Sequence, residues 1–452
     1  MVKASRTQGK KPSETGGIMT AGDLRKTLRY RWFIFWCLAF GYILVFFHRL
    51  CPAVVATDMM TDLHASGALI GFLSSAYFYP YALMQLPTGL LSDTWGPRRT
   101  ITLFLCAACA GSVLLGLTTS PTGAIFGRLL VGLGVSTLFV CTLKILAEWF
   151  SIREFVTMTG ILMAMGGVGS LSAATPLAVV SAGIGWRMSF VLVGLLTAVL
   201  AVLVWKIVRD RPADLGWPSP AEHATSGDPP IRLAEGIRQV VSLPAFWPLA
   251  AWFFFKYGIF TSFAGLWGGP YLMQVYGVTK ARAGGVLSLV AVGMIVGSPL
   301  LGYLSNRVLK GRKPTLILAS LAMVAMTALL AFATDTLSLP LIGGLCFGFG
   351  VFASAIAVIG FACARELFPS RIAGTCLGLL NLFPFAGGAL LQPLLGYILE
   401  SHGKIGTAFT IGGYRRAFLV LFLSALAALI ASLFVKETLE KATAGREKGR
   451  PE

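Results

Sequence analysis

Four basic side chains, Arg49, Arg128, Lys144 and Lys256, stand inside long apolar runs, while every Asp and Glu falls in a polar interval or at the end of a run. A charge within such a run costs about 2.5–3.5 kcal/mol even on permissive scales, so each one needs a partner. With no acid in the runs to serve, the chemistry open to these cations is the capture of an anion, whose attraction in a partly dry cavity reaches several kcal/mol. Arg49 is the foremost candidate, because a guanidinium presents a planar fork to a carboxylate or phosphate. Lys256 lies about ten residues into its run, too deep to reach headgroups easily. Lys144 has two readings: an anion contact, or a lysine reaching toward an interface that Trp149 and Phe150 mark a turn later. His48 titrates near neutrality and is the candidate for coupling. Tyr81, Gln85, Asn381 and Gln392 are polar groups that lipid would penalise, so they are expected to face a cavity. The four histidines are scattered and no nucleophile–base set is present, which argues against an enzyme. The closest cysteine pair, Cys106 and Cys109, has no second pair to complete a metal site, so no metal or cofactor is expected.

Positioning these residues is the task of a membrane protein. Of 452 residues, 56% are apolar and only 12% charged, where a soluble chain carries about a quarter charged. A span needs about 20 apolar residues, and about twelve such runs are read near 32–58, 67–91, 100–119, 123–147, 155–181, 186–208, 245–268, 284–305, 314–334, 338–362, 373–400 and 416–435. The net charge of +18 is not massed on one soluble region, so nucleic acid is not an expected partner. With both termini inside, 27 of the 37 basic residues fall in inside segments, 6 in outside loops and 4 within spans, as cytoplasmic loops collecting Lys and Arg require. The expected organisation is an arm at 1–30, a six-helix bundle at 31–208, a central loop at 209–243, a second six-helix bundle at 244–435 and a tail at 436–452, both termini cytoplasmic, in the inner or plasma membrane.

The two halves carry an internal repeat at an offset of about 213–218 residues. Glu148-Trp149-Phe150-Ser151-Ile152-Arg153 with Gly160 after span 4 is matched by Glu366-Leu367-Phe368-Pro369-Ser370-Arg371 with Gly378 after span 10. Gly89 through Asp93 to Arg98-Arg99 has a degenerate copy at Gly302, Asn306, Arg307 and Gly311-Arg312-Lys313. With the Arg128-x-x-x-Gly132-x-Gly134 run, these motifs resemble the major facilitator superfamily over roughly residues 30–435. The resemblance implies an all-α fold of twelve transmembrane helices in two pseudo-symmetric six-helix bundles, with a site near the midplane between the halves. It also implies a gate, with Asp93 facing the start of helix 11 and Arg98 and Arg99 helping to close the inner side; for Arg99 a purely topological role is an equal reading. Glu148 with Arg153, and Glu366 with Arg371, are read as repeated inner-surface ion pairs. Arg128 belongs to a family motif and is assigned to structure or a proton path.

Within the superfamily, Cys141 through Arg153-Glu154 is similar to organophosphate antiporters and organic anion symporters, whose basic residue in span 1 is matched by Arg49. The function implied is secondary transport of a small organic anion by alternating access, coupled to a proton or sodium, by a monomer in contact with lipid. Arg49 and Lys256 are expected to hold opposite ends of one substrate, at heights that differ by roughly 9 Å along a helix. Two rivals are weighed: a proton-driven multidrug or amino-acid and peptide transporter, and a receptor of the same fold that binds without transport. The first would want an acid in the cavity.

Overall fold

A backbone crossing a bilayer finds no water to bond with, so each crossing must satisfy its own amides, and helices do so. The computed structural model describes residues 21–219, 233–367 and 376–439. Ten helical stretches are long and apolar enough to cross a membrane. One of them, Thr157–Ile207, is 51 residues long and turns at Gly185, whose φ of 79° divides it into two crossings. A further crossing is built of Gly67–Ser75, Phe78–Leu83 and Gln85–Thr94. The protein is thus an α-helical membrane protein of two six-span halves.

In chain order, span 1 is Ala21–Leu50 continued by Pro52–Asp62; span 2 is the broken helix just described; spans 3 and 4 are Pro97–Leu117 and Pro121–Trp149. Span 5 begins with Ile152–Ser172 and runs to the turn at Gly185, and span 6 ends at Ile207. Spans 7 to 12 are Phe246–Tyr276, Lys280–Val308, Arg312–Phe332, Leu339–Leu367, Cys376–Ser401 and Ile411–Phe434. Prolines mark the breaks, because each lacks the N–H that would bond four residues back. Pro80 and Pro87 cannot donate to Ala76 and Leu83, and span 2 is interrupted beside both. Spans 7, 8 and 10 contain widened turns at Phe263–Trp267, Leu304–Val308 and Ile356–Gly360.

Three features differ from the sequence expectation. The first helix already includes Ala21, ten residues inside the expected arm. The central interval carries a helix, Leu233–Val241, that buries Val240 against the second half. A two-stranded antiparallel hairpin, Lys404–Ile405 with Ala408–Phe409, joins spans 11 and 12. It is too short for a hydropathy pattern to register.

The apolar packing is asymmetric along the membrane normal. At the end away from the termini, one continuous core joins both halves, running from Phe47, Met59 and Ile70 to Trp267, Leu391 and Phe418. Toward the termini the core divides. One part belongs to the first half, entered by Phe385 and Ala389 of span 11 and flanked by Tyr257 of span 7, and the other to the second half. The far end is also latched by polar groups: Lys280 pairs with Asp58, and the Glu400 carboxylate accepts from the Gly67 N–H at 2.7 Å. The latter places a negative charge at a helix N-terminus, where the dipole favours it. Backbones meet there as well, since a Cβ on Gly396 would lie 2.2 Å from the Gly67 carbonyl. The protein is therefore closed at the far end.

Gly396→Val is expected to wedge spans 2 and 11 apart. A cysteine at Ile70, buried in the shared core, should then react with a water-soluble maleimide at least tenfold faster than in the parent, reflecting its changed exposure. An unchanged rate would mean that this contact does not seal the far end.

Candidate functional site

Arg49 is the penultimate residue of the first helical piece of span 1, and Phe46 lies three residues earlier on the same face. Its guanidinium carbon lies 4.6 Å from the ring centre of Phe46, 5.2 Å from Tyr81, 5.3 Å from Phe385 and 6.0 Å from Tyr257. Two of these rings come from each half. The side chain is buried, the residue being only 6% exposed, its Nε has no hydrogen-bond partner, and it forms no ion pair among the described residues. Cation–π contacts contribute about 0.5–2 kcal/mol each, less than a buried charge needs. Tyr81 and Phe385 close over the site with ring centres 4.4 Å apart. The phenols of Tyr77 and Tyr257 face the guanidinium, and the Tyr257 hydroxyl is buried without a partner. One turn nearer the termini, Asn381 donates to Gln85 Oε1 at 2.9 Å and Gln85 donates to the Tyr81 carbonyl at 3.0 Å. Spans 1, 2, 7 and 11 therefore meet around one cation, with Tyr81 beside it and the Gln85–Asn381 pair one turn away.

Gln392 lies on the far-end side, where its Nε2 donates to the Thr261 carbonyl at 2.9 Å and its Oε1 has no partner. Arg128 serves the backbone. Pro52 cannot donate to the His48 carbonyl, and Arg128 Nη1 does so instead at 2.8 Å, while Nη2 reaches the Ser74 carbonyl at 3.3 Å beside the break in span 2. This is the structural role of the two expected for it. His48 is fully buried with both ring nitrogens unpartnered.

Lys256 is not brought to Arg49. It is fully buried within the second half, donates to the Ala319 carbonyl of span 9 at 2.5 Å and stands 6.0 Å from the Trp252 ring. The paired clamp expected from sequence is corrected: its depth suits the site, but it turns the other way around the helix. Lys144 is likewise engaged elsewhere, with Asp93 Oδ1 at 2.5 Å and the Ser92 carbonyl at 2.9 Å. It neither reaches the Arg49 site nor stands as a free lysine at an interface.

The gate residues cluster at the termini end. Asp93 is 70% exposed and paired with Lys144; residues 368–375, which lead into span 11, lie outside the described residues. Arg98 stacks on Trp205 at 4.3 Å and donates to its carbonyl, and its backbone N–H donates to Asp210 at 2.7 Å. Burial pushes the Asp210 carboxyl up, against that N–H. Arg99 is exposed. The second half repeats the arrangement, with Glu437 accepting from the N–H groups of Arg312 and Lys313 at 2.8 and 3.1 Å. Against the push of burial, backbone donors from Leu439, Arg312, Thr438 and Lys313 hold the Glu437 carboxyl below its usual range. Glu366 pairs with Arg312 at 2.9 Å; its expected partner Arg371 lies outside the described residues. Glu148 is half-buried and its carbonyl accepts from Ser219 at 3.0 Å; the Arg153 side chain lies outside the described set. Sequence reasoning missed the pair of Arg31 with Glu154 at 2.8 Å. It also missed Tyr257 and Phe385, for which a chain with 31 Phe and 11 Tyr gives no distinguishing signal.

Comparison with known proteins places this geometry in a family. The Major Facilitator Superfamily matches residues 38–392 and 269–452. A probable galactarate/D-glucarate transporter of Escherichia coli (strain K12) is 24% identical, covering 92% of this chain and 97% of that protein. A probable hexose phosphate transport protein of Chlamydia trachomatis serovar D is 25% identical, covering 88% and 92%. The crystal structure of a bacterial homologue of the human lysosomal transporter Spinster, inward-facing and unoccupied, shares the fold with a TM-score of 0.73 at 20% identity, covering 90% of this chain and 98% of that one.

Lys256→Met is expected to keep the fold, since an apolar replacement of a buried charge is often neutral or stabilising by about 1–4 kcal/mol. It should leave organic-anion binding unchanged. Thermal melts and anion titrations check both, and loss of binding in this variant would return Lys256 to the site.

Proposed function

This chain belongs to the Major Facilitator Superfamily and is a membrane transporter; we propose that its cargo is a small organic anion, carboxylate or organophosphate, held by Arg49 between the halves. The observation that carries this reading is the guanidinium enclosed by rings from both halves, with no carboxylate paired to it among the described residues. At 4 Å and an effective dielectric of 20, an anion would gain about 4 kcal/mol from that charge. The relatives named above as galactarate/D-glucarate and hexose phosphate transporters support an anionic cargo.

The mechanism follows from the asymmetry of the packing. In the state closed at the far end, the anion enters from the termini side, displaces the rings from Arg49 and replaces cation–π contacts with charge-assisted hydrogen bonds, which are roughly twice as strong as neutral ones. Neutralisation lowers the cost of enclosing the guanidinium, and the halves then rock about the loaded site. The protein works as a monomer, and its termini lie on the cytoplasmic side of the inner or plasma membrane. Transport is coupled to a proton or sodium, with His48 as the candidate proton carrier because its ring nitrogens are uncommitted. Arg128 supports the bend beside it.

Arg49→Ala should lower anion uptake in proteoliposomes at least tenfold and abolish the anion-induced rise in melting temperature. Its elution volume and helical content should match the wild type. Uptake at the wild-type rate in this variant would overturn the assignment of the site.

A further inference from the structure

The surroundings of Arg49 restrict the kind of anion as well as its sign. On the reading that Arg49 holds the cargo, we propose that the cargo is an aromatic monocarboxylate: one negative charge on a flat, apolar body. Three observations lead there. The first is the supply of cations. Arg49 is free, whereas Lys256 is spent on the Ala319 carbonyl, Arg128 on the carbonyls of His48 and Ser74, and Lys144 on Asp93. A second carboxylate, or the second charge of a phosphate monoester, would enter the site uncompensated.

The second observation is the wall. Phe46, Tyr81, Tyr257 and Phe385 all lie within 6.0 Å of the guanidinium carbon. Behind them Tyr77 stacks on Tyr81 at 5.6 Å and Tyr42 meets Phe46 edge-on at 5.2 Å. Once Tyr81 and Phe385 part, these faces and edges can meet another ring in offset or edge-to-face contact. The same surface offers little to a polyol.

The third is the supply of hydrogen-bonding groups. At the guanidinium itself the unpartnered groups are the Arg49 Nε and the Tyr257 hydroxyl, both suited to one carboxylate. The Gln85 and Asn381 amides bond to each other, and Tyr42 and Tyr77 donate to Met163 and the Val45 carbonyl. A sugar acid with several hydroxyls would leave most of them unsatisfied, and an apolar pocket discriminates against a single added hydroxyl by up to about 100-fold. The arginine and Tyr257 grip the carboxylate while the rings take the body. Size selection then lies with Phe385, which reaches across from span 11.

The test uses the purified full chain in detergent, titrated with benzoate and phenylacetate and, for comparison, with glucarate and glucose 6-phosphate, with affinity and melting temperature as readouts. An aromatic acid should bind at least tenfold more tightly than either polyhydroxylated anion, and Arg49→Gln should abolish its binding. Tyr257→Phe should weaken it about tenfold without lowering the melting temperature of the unliganded protein. Tighter binding of glucarate or glucose 6-phosphate, lost in Arg49→Gln, would overturn the aromatic assignment and leave the anion site standing. Binding of any of these compounds that survives Arg49→Gln, or binding of none, would overturn both. If Arg49→Gln does not fold, Phe385→Ala decides the body preference in its place: the benzoate-to-glucarate affinity ratio should fall about tenfold, and an unchanged ratio would overturn the proposal.

Discussion

Arg49 is a guanidinium buried at the boundary between two apolar bundles, with no acid paired to it among the described residues. Placing such a charge in a membrane interior costs about 2.5–3.5 kcal/mol even on permissive scales, and the rings around it offset that cost without neutralising the charge. The charge left without a counterion gives the boundary between the halves a reason to be occupied and then to move. Were Arg49 paired with a carboxylate of its own chain, the boundary would be an ordinary packed interface.

The surrounding architecture isolates that one charge. Arg128 repairs the backbone where Pro52 and the break in span 2 free carbonyls, so the bend that presents Arg49 is stable without drawing on Arg49 itself. Lys144 is tied to Asp93 near the gate, and Lys256 is turned into the second half. At the far end a shared apolar core and the Asp58–Lys280 pair hold the halves together. Toward the termini each half keeps its own core, joined chiefly by Phe385 and Ala389. Two halves joined strongly at one end and weakly at the other can exchange which end is closed, provided the charge between them is balanced.

Much of this was legible in the sequence because membrane physics acts on local runs of residues. The spans, the repeat and Arg49 each follow from a cost paid along a contiguous stretch. Lys256 was misread because depth in a helix can be counted while rotation is harder to place: consecutive residues point about 100° apart, and it is the neighbouring Tyr257 that faces Arg49. Glu366 is held by Arg312 from another span, a contact that the repeat does not announce. Asp210 and Glu437, lying in polar intervals, gave no sign that they cap the starts of spans 3 and 9. Contacts between distant segments were invisible wherever the residue types were common.

The most direct test is whether an anion at Arg49 moves the two halves. Nitroxide labels at Trp95→Cys and Val308→Cys, exposed positions at the termini-side ends of spans 2 and 8 in opposite halves, would report that separation by pulsed electron resonance, with exposed Cys106 replaced by serine. The account predicts that benzoate shifts the distance distribution toward shorter separations in the wild type and has no effect in Arg49→Ala. The same shift in both proteins, or none in the wild type although benzoate binds, would contradict it.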